Sequence, residues 1–404
     1  DLYAHPDRME SGDQVGFDLF FTSGITRGLP AMVPIAMLYS TPEDAAAEIT
    51  YLEKRRYAIA RIEMGEEPDG QYMAPEDYAA LYLQFAAALH KVDPTLQLGG
   101  PVFEGVSEDI KWWPDAHGET SWFKRFLSYL RAHGKMSELS FMSYEHYPYY
   151  DGTCQGPWSN LYKEPEILTH ILQVWRDDGL PADVPQIDSE TNAPGADDAV
   201  DVFGALWVGD TFPAFLTAGG QGSYYHTALP YSTPHPACDN SWGTYHMFTI
   251  DHNGVIRQRT SQFFAAQMLT QEWAEPVDAT HRLFRAASDI RDSEGHVLVT
   301  AYAVLRPDGQ WALMLINKDY DHAHAVRIVF HDEQTHADSG FVGTVDRITF
   351  GKEQYTWHSA LQNGYADPDG PAARSTLAAG ERYTLPAASM TVLRGRIGVT
   401  SGTN

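Results

Sequence analysis

Ala58-Ile59-Ala60-Arg61-Ile62-Glu63-Met64-Gly65-Glu66-Glu67-Pro68-Asp69 decides the reading of this chain. Ile59, Ala60, Ile62 and Met64 make it an apolar β run. Side chains alternate along a strand, so Arg61, Glu63, Gly65 and Glu67 share one face. Charge inside an apolar β run needs a reason, and Glu63 is expected to be held by a neighbouring cation. A second run, Pro185-Gln186-Ile187-Asp188-Ser189, also closes on a carboxylate, Glu190. In a barrel of parallel strands the C-terminal strand ends converge on one pocket, so two glutamates far apart in sequence can face the same atom.

Outward from these two runs, between about residues 30 and 275, short β-rich stretches alternate with longer stretches of helical period, the signature of β-α units and a parallel sheet. Strands are expected at 31–39, 58–67, 96–103, 139–148, 185–191 and 220–229. Ser40-Thr41-Pro42-Glu43 and Pro75-Glu76-Asp77 carry helix-start signals, and further helices are expected over 120–133, 165–177, 198–216 and 257–273. Trp122, Trp175 and Trp207 fall within these helices and are expected in the core. The fold class is therefore α/β, a (β/α)8 TIM barrel over residues 1–278. Six strands are two short of eight, and an open barrel would leave unpaired edges, so the first two strands are expected from an upstream segment or from a second chain. After about residue 280 the pattern becomes alternation without long helices, at 281–288, 297–305, 310–317, 325–331, 341–350 and 383–395, with Arg306-Pro307-Asp308-Gly309 as a hairpin signal. Residues 279–404 are read as an antiparallel β-sandwich.

The chain has 404 residues, 43% hydrophobic, enough to bury a large core. With 28 Lys and Arg against 54 Asp and Glu its net charge is −26, and no basic stripe exists to neutralise phosphates, so nucleic acid is excluded as a partner. A long polyanionic glycan would be repelled at distance, whereas one uronate could be held by a local Arg. No apolar stretch reaches the length of a membrane span. Cys154 and Cys238, both in Gly/Pro/Asn-rich loops, form either one disulfide or two ordinary thiols. His5, His235 and the His322/His324 pair lack zinc-ligand spacing, no phosphate loop is present, and no metal or other cofactor is expected.

Glu63-Met64-Gly65-Glu66-Glu67-Pro68-Asp69 resembles the strand-four signature E-x-G-N-E-P of the clan A retaining glycoside hydrolases. The resemblance implies that Glu67 is the general acid/base. The family's Asn, which contacts the sugar 2-hydroxyl, is Glu66 here, a group that when ionised accepts but does not donate hydrogen bonds. Ile187-Asp188-Ser189-Glu190-Thr191-Asn192 is similar to the clan's strand-seven segment and implies that Glu190 is the nucleophile; its Ser-Glu-Thr wording is closest to the heparanase and β-glucuronidase branch. Ser143-Tyr144-Glu145-His146-Tyr147-Pro148 is similar to the sixth strand's His-Tyr-Pro ending, which implies that His146 and Tyr147 contact the sugar, while Glu145 reads as a solvated charge. Leu385-Pro386-Ala387-Ala388-Ser389-Met390-Thr391-Val392-Leu393 looks like the closing strand of the sandwich appended to such barrels.

The resemblance implies a secreted or periplasmic hydrolase that cleaves β-glycosidic bonds of a glycan by double displacement, with carboxyl groups about 5 to 5.5 Å apart. Sugar faces stack on aromatic rings, so Trp112 and Trp113 after the third expected strand and Tyr225 on the last are candidate substrate contacts. Two other readings stay open: an exo-acting β-glucuronidase-like hydrolase, and a catalytically silent carbohydrate-binding barrel.

Overall fold

The computed structural model describes residues 16–105, 107–149, 158–193, 197–227, 231–232, 246–251, 253–358 and 364–399. Cys154, Cys238 and the question of their pairing lie outside the described residues. In chain order the first elements are α1 (Phe17–Thr22), β1 (Ala31–Ile35), α2 (Pro42–Lys54), β2 (Ile59–Met64), α3 (Pro75–Val92), β3 (Leu98–Phe103), α4 (Trp122–Ala132), β4 (Phe141–His146), α5 (Glu164–Asp177), β5 (Gln186–Thr191), α6 (Asp197–Val200), α7 (Val202–Ala218) and β6 (Gly222–Tyr225). Each of the six expected strands is present in shortened form, and β1 to β6 are hydrogen-bonded neighbours in sequence order. From β1 to β5 every pair is parallel.

The chain forms two compact units, each assembled from separate stretches. One comprises Asp1–His146, His170–Thr191 and Gly220–Tyr224; the other comprises Tyr147–Thr169, Asn192–Gly219 and Tyr225–Asn404. The division thus does not follow the expected cut at 278/279, because α7 and several loops between the strands group with the later residues.

In the first unit, helix starts are fixed by local chemistry. The Thr41 hydroxyl accepts from the Asp44 N–H at 3.1 Å with Pro42 opening α2, and the Ser121 hydroxyl accepts from Lys124 N–H at 3.2 Å to cap α4. The apolar faces of α3, α4 and α5 pack an aromatic cluster in which Phe103, Trp122, Phe126 and Trp175 are fully buried; Phe103 stacks on Trp175 at 5.1 Å and meets Trp122 edge-on at 5.1 Å. The Trp122 indole donates to the Met73 carbonyl at 2.9 Å, which pins the loop after β2 to α4.

In the second unit β7 (Tyr231–Ser232), β8 (Phe248–Ile250) and β9 (Ile256–Arg259) form a small sheet, followed by α8 (Ser261–Gln267) and a π-helical turn at Met268–Trp273. The helix expected over 257–273 therefore starts later, because Ile256–Arg259 pairs with β8 instead. Then come β10 (Arg282–Phe284), β11 (Val299–Leu305), β12 (Trp311–Asn317), β13 (His324–Val326), β14 (Phe330–His331), β15 (Asp338–Gly351), β16 (Tyr355–His358), β17 (Tyr365–Asp369), β18 (Ala373–Ala378), β19 (Tyr383–Leu385) and β20 (Ser389–Val399). The main antiparallel sheet runs β10-β11-β12-β20-β15-β14, with β18 on β15. Leu313, Leu315, Val345 and Leu393 lie in its core. Helix α7 is buried on nearly every side and carries one charge, Asp210, which accepts from Thr300 at 2.5 Å, Tyr302 at 2.6 Å and Lys318 at 3.0 Å. Such a buried pair is tolerated because each charge is multiply hydrogen-bonded; the Lys318 ammonium also donates to the Leu161 carbonyl at 3.0 Å.

Candidate active site

The site belongs to the first unit and begins where β2 ends. Gly65 takes φ +99°, a left-handed conformation that costs only glycine nothing, and its N–H donates to the Ile35 carbonyl at 3.1 Å. Two residues on, Glu67 is itself left-handed at φ +43°, which is uncommon for a side-chain-bearing residue and must be held by its surroundings. Its N–H donates to the Val102 carbonyl at 2.8 Å, and its carbonyl accepts from Gln71 N–H at 2.9 Å. Val102 is left-handed as well, at φ +62°, within the register shift between β3 and β4. The irregularity in one strand thus anchors the glutamate that follows its neighbour.

Glu145 on β4 stands opposite Glu190 on β5 in the pairing register, just after a shift that inserts Ser189 as an extra residue. The bulge lets Ser189 and Glu190 both address the face that carries Glu63 and Glu145. Glu145 is 2% exposed, its carboxyl is in hydrogen-bonding contact with Glu190 and Glu67, and among the described residues its Oε1 has no other partner. Burial and the charges of Glu190 and Glu67 push it up to about 12, so it is a neutral carboxylic acid at neutral pH. The Glu67 carboxyl is also raised, by burial first and then by the charges of Glu104 and Glu190, while the contact with Glu145 opposes the rise.

Glu63, expected to be ion-paired, is not. Among the described residues its carboxyl faces the Ser143 and Ser189 hydroxyls, though its Oε1 and the Ser143 hydroxyl lack a hydrogen bond of normal length, and burial raises it to about 7. Arg61, the cation on its face, lies over the Phe141 ring at 5.8 Å instead. Phe141 can lie there because Gly99 beside it has no side chain: a Cβ would come within 2.4 Å of the ring. Asp69 accepts from Glu104 N–H at 3.2 Å and is raised by burial to about 6.

The sequence-derived candidates are distributed unevenly. Glu66, Glu67 and Glu190 come together around Glu145, since the charges of all three act on it. His146 is buried, and strand alternation places it with Tyr144 on the face opposite Glu145; Tyr144 packs on Trp175 at 5.9 Å. The residue of that strand directed at the carboxylates is therefore Glu145, which the sequence reading took for a solvated charge. A carboxylate in an apolar β run was the available signal, the same that singles out Glu63. Tyr147 and Tyr225 belong to the second unit, where Tyr147 meets His226 edge-on at 6.4 Å and the Tyr225 hydroxyl donates to Gln262. Trp112 and Trp113 lie in the loop after β3, and Trp113 is 81% exposed. Two further rings at the same ends of the strands escaped notice: Tyr39 after β1 and Tyr72 after β2, 60% and 84% exposed. The Tyr39 hydroxyl donates to Gln71, whose amide donates to the Glu66 carbonyl at 3.2 Å, so Tyr39 adjoins the carboxylate loop. Among the described residues no group of three or more His, Cys, Asp or Glu could hold a metal ion, and no helix is long and apolar enough to cross a membrane.

No family model matches this chain, and neither does any curated protein. Solved structures do. The GH51 arabinofuranosidase from Xanthomonas axonopodis pv. citri superposes with a TM-score of 0.63 at 15% identity, over 94% of this chain and 78% of that one. AbfB, a family 51 alpha-L-arabinofuranosidase from Bifidobacterium longum, gives 0.64 at 15% identity over 94% and 79%. Cel44A, a GH family 44 endoglucanase from Clostridium thermocellum, gives 0.59 at 13% identity over 86% and 70%. The chain shares the fold of these proteins. None of these neighbours is a heparanase or β-glucuronidase, so the comparisons give that branch no support.

Proposed function

We propose that this protein is a retaining glycoside hydrolase in which Glu67 is the acid/base and Glu190 the nucleophile. The observation that carries the reading is the meeting of Glu67 and Glu190 on one carboxyl, that of Glu145, at the C-terminal ends of strands of one parallel sheet. In the first step Glu190 attacks the anomeric carbon as the bond to the leaving oxygen breaks, and the proton of Glu67 passes to that oxygen. In the second, Glu67 takes a proton from water, which displaces Glu190 and releases the sugar. A raised carboxyl at Glu67 suits this role, since the acid must still hold its proton near neutrality.

The leading charges that act on Glu67 and Glu145, besides one another, are carboxylates: Glu66, Asp69, Glu104 and Glu190. That environment favours a neutral sugar over the uronate that a β-glucuronidase-like reading requires. Because the fold neighbours include proteins described as arabinofuranosidases, endoglucanases and a xyloglucanase, the informative probes are activated 2-deoxy-2-fluoro derivatives of β-D-glucosides and β-D-xylosides and a corresponding α-L-arabinofuranoside. One of them is expected to add a glycosyl mass to the peptide carrying Glu190. An adduct on another carboxylate would overturn the assignment, and absence of both adduct and turnover across the panel would favour a silent carbohydrate-binding barrel.

Exposed rings bordering the site supply stacking faces for sugars. Tyr72 is left-handed at φ +57° and 84% exposed, a strained placement that projects the ring outward. Tyr72→Ala is expected to raise KM for an oligosaccharide several-fold, about 1 kcal/mol, with kcat little changed. Equal KM values for the two proteins on long and short substrates would remove Tyr72 from the binding surface.

A further inference from the structure

We propose that Glu145 is a positioning residue: a neutral carboxyl that lies between the two catalytic glutamates and donates its O–H to ionised Glu190. The inference rests on the roles proposed above for Glu67 and Glu190. Its basis is geometric. Glu145 is 2% exposed and paired in register with Glu190 across β4 and β5. Its carboxyl is in hydrogen-bonding contact with those of Glu190 and Glu67, and among the described residues Oε1 finds no hydroxyl, amide or cation. A buried carboxyl and the two that contact it cannot all be ionised, and the innermost, least hydrated one keeps its proton.

A neutral acid has one O–H to donate, and the ionised nucleophile beside it is an acceptor for that proton. The donor steadies the negative charge of Glu190 before attack, and the same carboxyl lies against that of Glu67. The Glu145 proton is not passed to substrate and is in place again at the end of each turnover. The groups facing Glu145 are Glu190 from β5 and Glu66 and Glu67 from the loop after β2, with the charge of Glu190 acting in turn on Glu63 of β2. All are acidic, so none would draw the proton away by ion pairing.

Glutamine has the same shape with a fixed donor and acceptor, so Glu145→Gln is the test, with Glu145→Met as the apolar counterpart. The pH profile of kcat/KM in Glu145→Gln is expected to keep both limbs near their wild-type positions, with activity within about 10-fold. In Glu145→Met, which lacks the donor, the acid limb is expected to move to higher pH. If Glu145 were ionised in the working enzyme, Glu145→Gln would remove a negative charge and move both limbs to lower pH, and that result would overturn the proposal. A second readout does not depend on glycosidase activity. At pH 9 the wild type and Glu67→Ala should both show the infrared C=O stretch of a buried carboxylic acid, absent in Glu145→Gln. Its persistence in Glu145→Gln, or its absence from the wild type, would refute the neutral carboxyl. A panel without turnover but with this band present would instead count against the glycosidase reading alone.

Discussion

Glu190→Ala is expected to lower kcat on an activated aryl glycoside by about 10⁴-fold or more, since no covalent intermediate can then form. Glu67→Ala should behave differently. With a poor leaving group it should cost about 10²- to 10⁴-fold, the usual worth of a positioned acid, whereas a leaving group that departs as a stable anion needs no proton and should lose little in the first step. The second step then limits turnover, because water has lost its base. Added azide, a nucleophile that needs no base, should restore the rate of Glu67→Ala and give a glycosyl azide of retained configuration. For Glu190→Ala azide should instead fill the vacated space and give the inverted product. Exchange of these stereochemical outcomes would mean that the two roles are reversed, and equal rates for wild type and Glu190→Ala would end the assignment.

The second large effect is on stability. Glu145 keeps its proton in the folded protein to about 12, while in the unfolded chain it releases it near the ordinary glutamate value of 4.5. Between those values the folded state binds more protons than the unfolded one, so stability falls as pH rises above about 4.5, at about 1.4 kcal/mol per pH unit for this group. Below 4.5 both states are protonated and the cost vanishes. At pH 7 it amounts to about 3 kcal/mol, whatever the folded value, provided that it lies well above 7. Glu63 and Glu48, each raised to about 7 by burial, act in the same direction between about 4.5 and 7. Wild-type Tm is thus expected to drop from pH 5 to pH 8. Glu145→Gln, which has no proton to keep, should melt close to the wild type at pH 4.5 and progressively above it toward pH 8. A difference between the two proteins that does not vary with pH would mean that Glu145 ionises normally in the fold. General acid repulsion in a chain of net charge −26 contributes nearly equally to both proteins and cancels in the comparison.

Much of this organisation was legible in advance. Apolar periodicity is a local property, and it placed all six strands of the first sheet, the capped helices α2 and α4 and the burial of Trp122, Trp175 and Trp207. Elements without strong local patterning were missed. β16, β17 and β18 are short and largely polar, and they are strands because a partner supplies hydrogen bonds, as β15 does for β18. The run 383–395 was read as one strand, but Pro386-Ala387-Ala388 breaks it, with Ala388 left-handed at φ +44°. The expected cation for Glu63 illustrates a different limit: sharing a strand face brings Arg61 near Glu63, but whether they pair depends on Phe141, a residue two strands away.

The sequence by itself determined the alternation of strands and helices, and it marked Glu67 and Glu190 as carboxylates closing two separate strands, because period and strand-end chemistry are written in consecutive residues. Only the tertiary structure decided that Glu145 meets those carboxylates, because this depends on the phase of β4 and on the extra residue in β5, which pairing alone reveals. It also decided protonation. A glutamate's charge is set by what surrounds it, and Glu145 becomes a neutral acid only when folding removes water and brings the two other carboxyls against it.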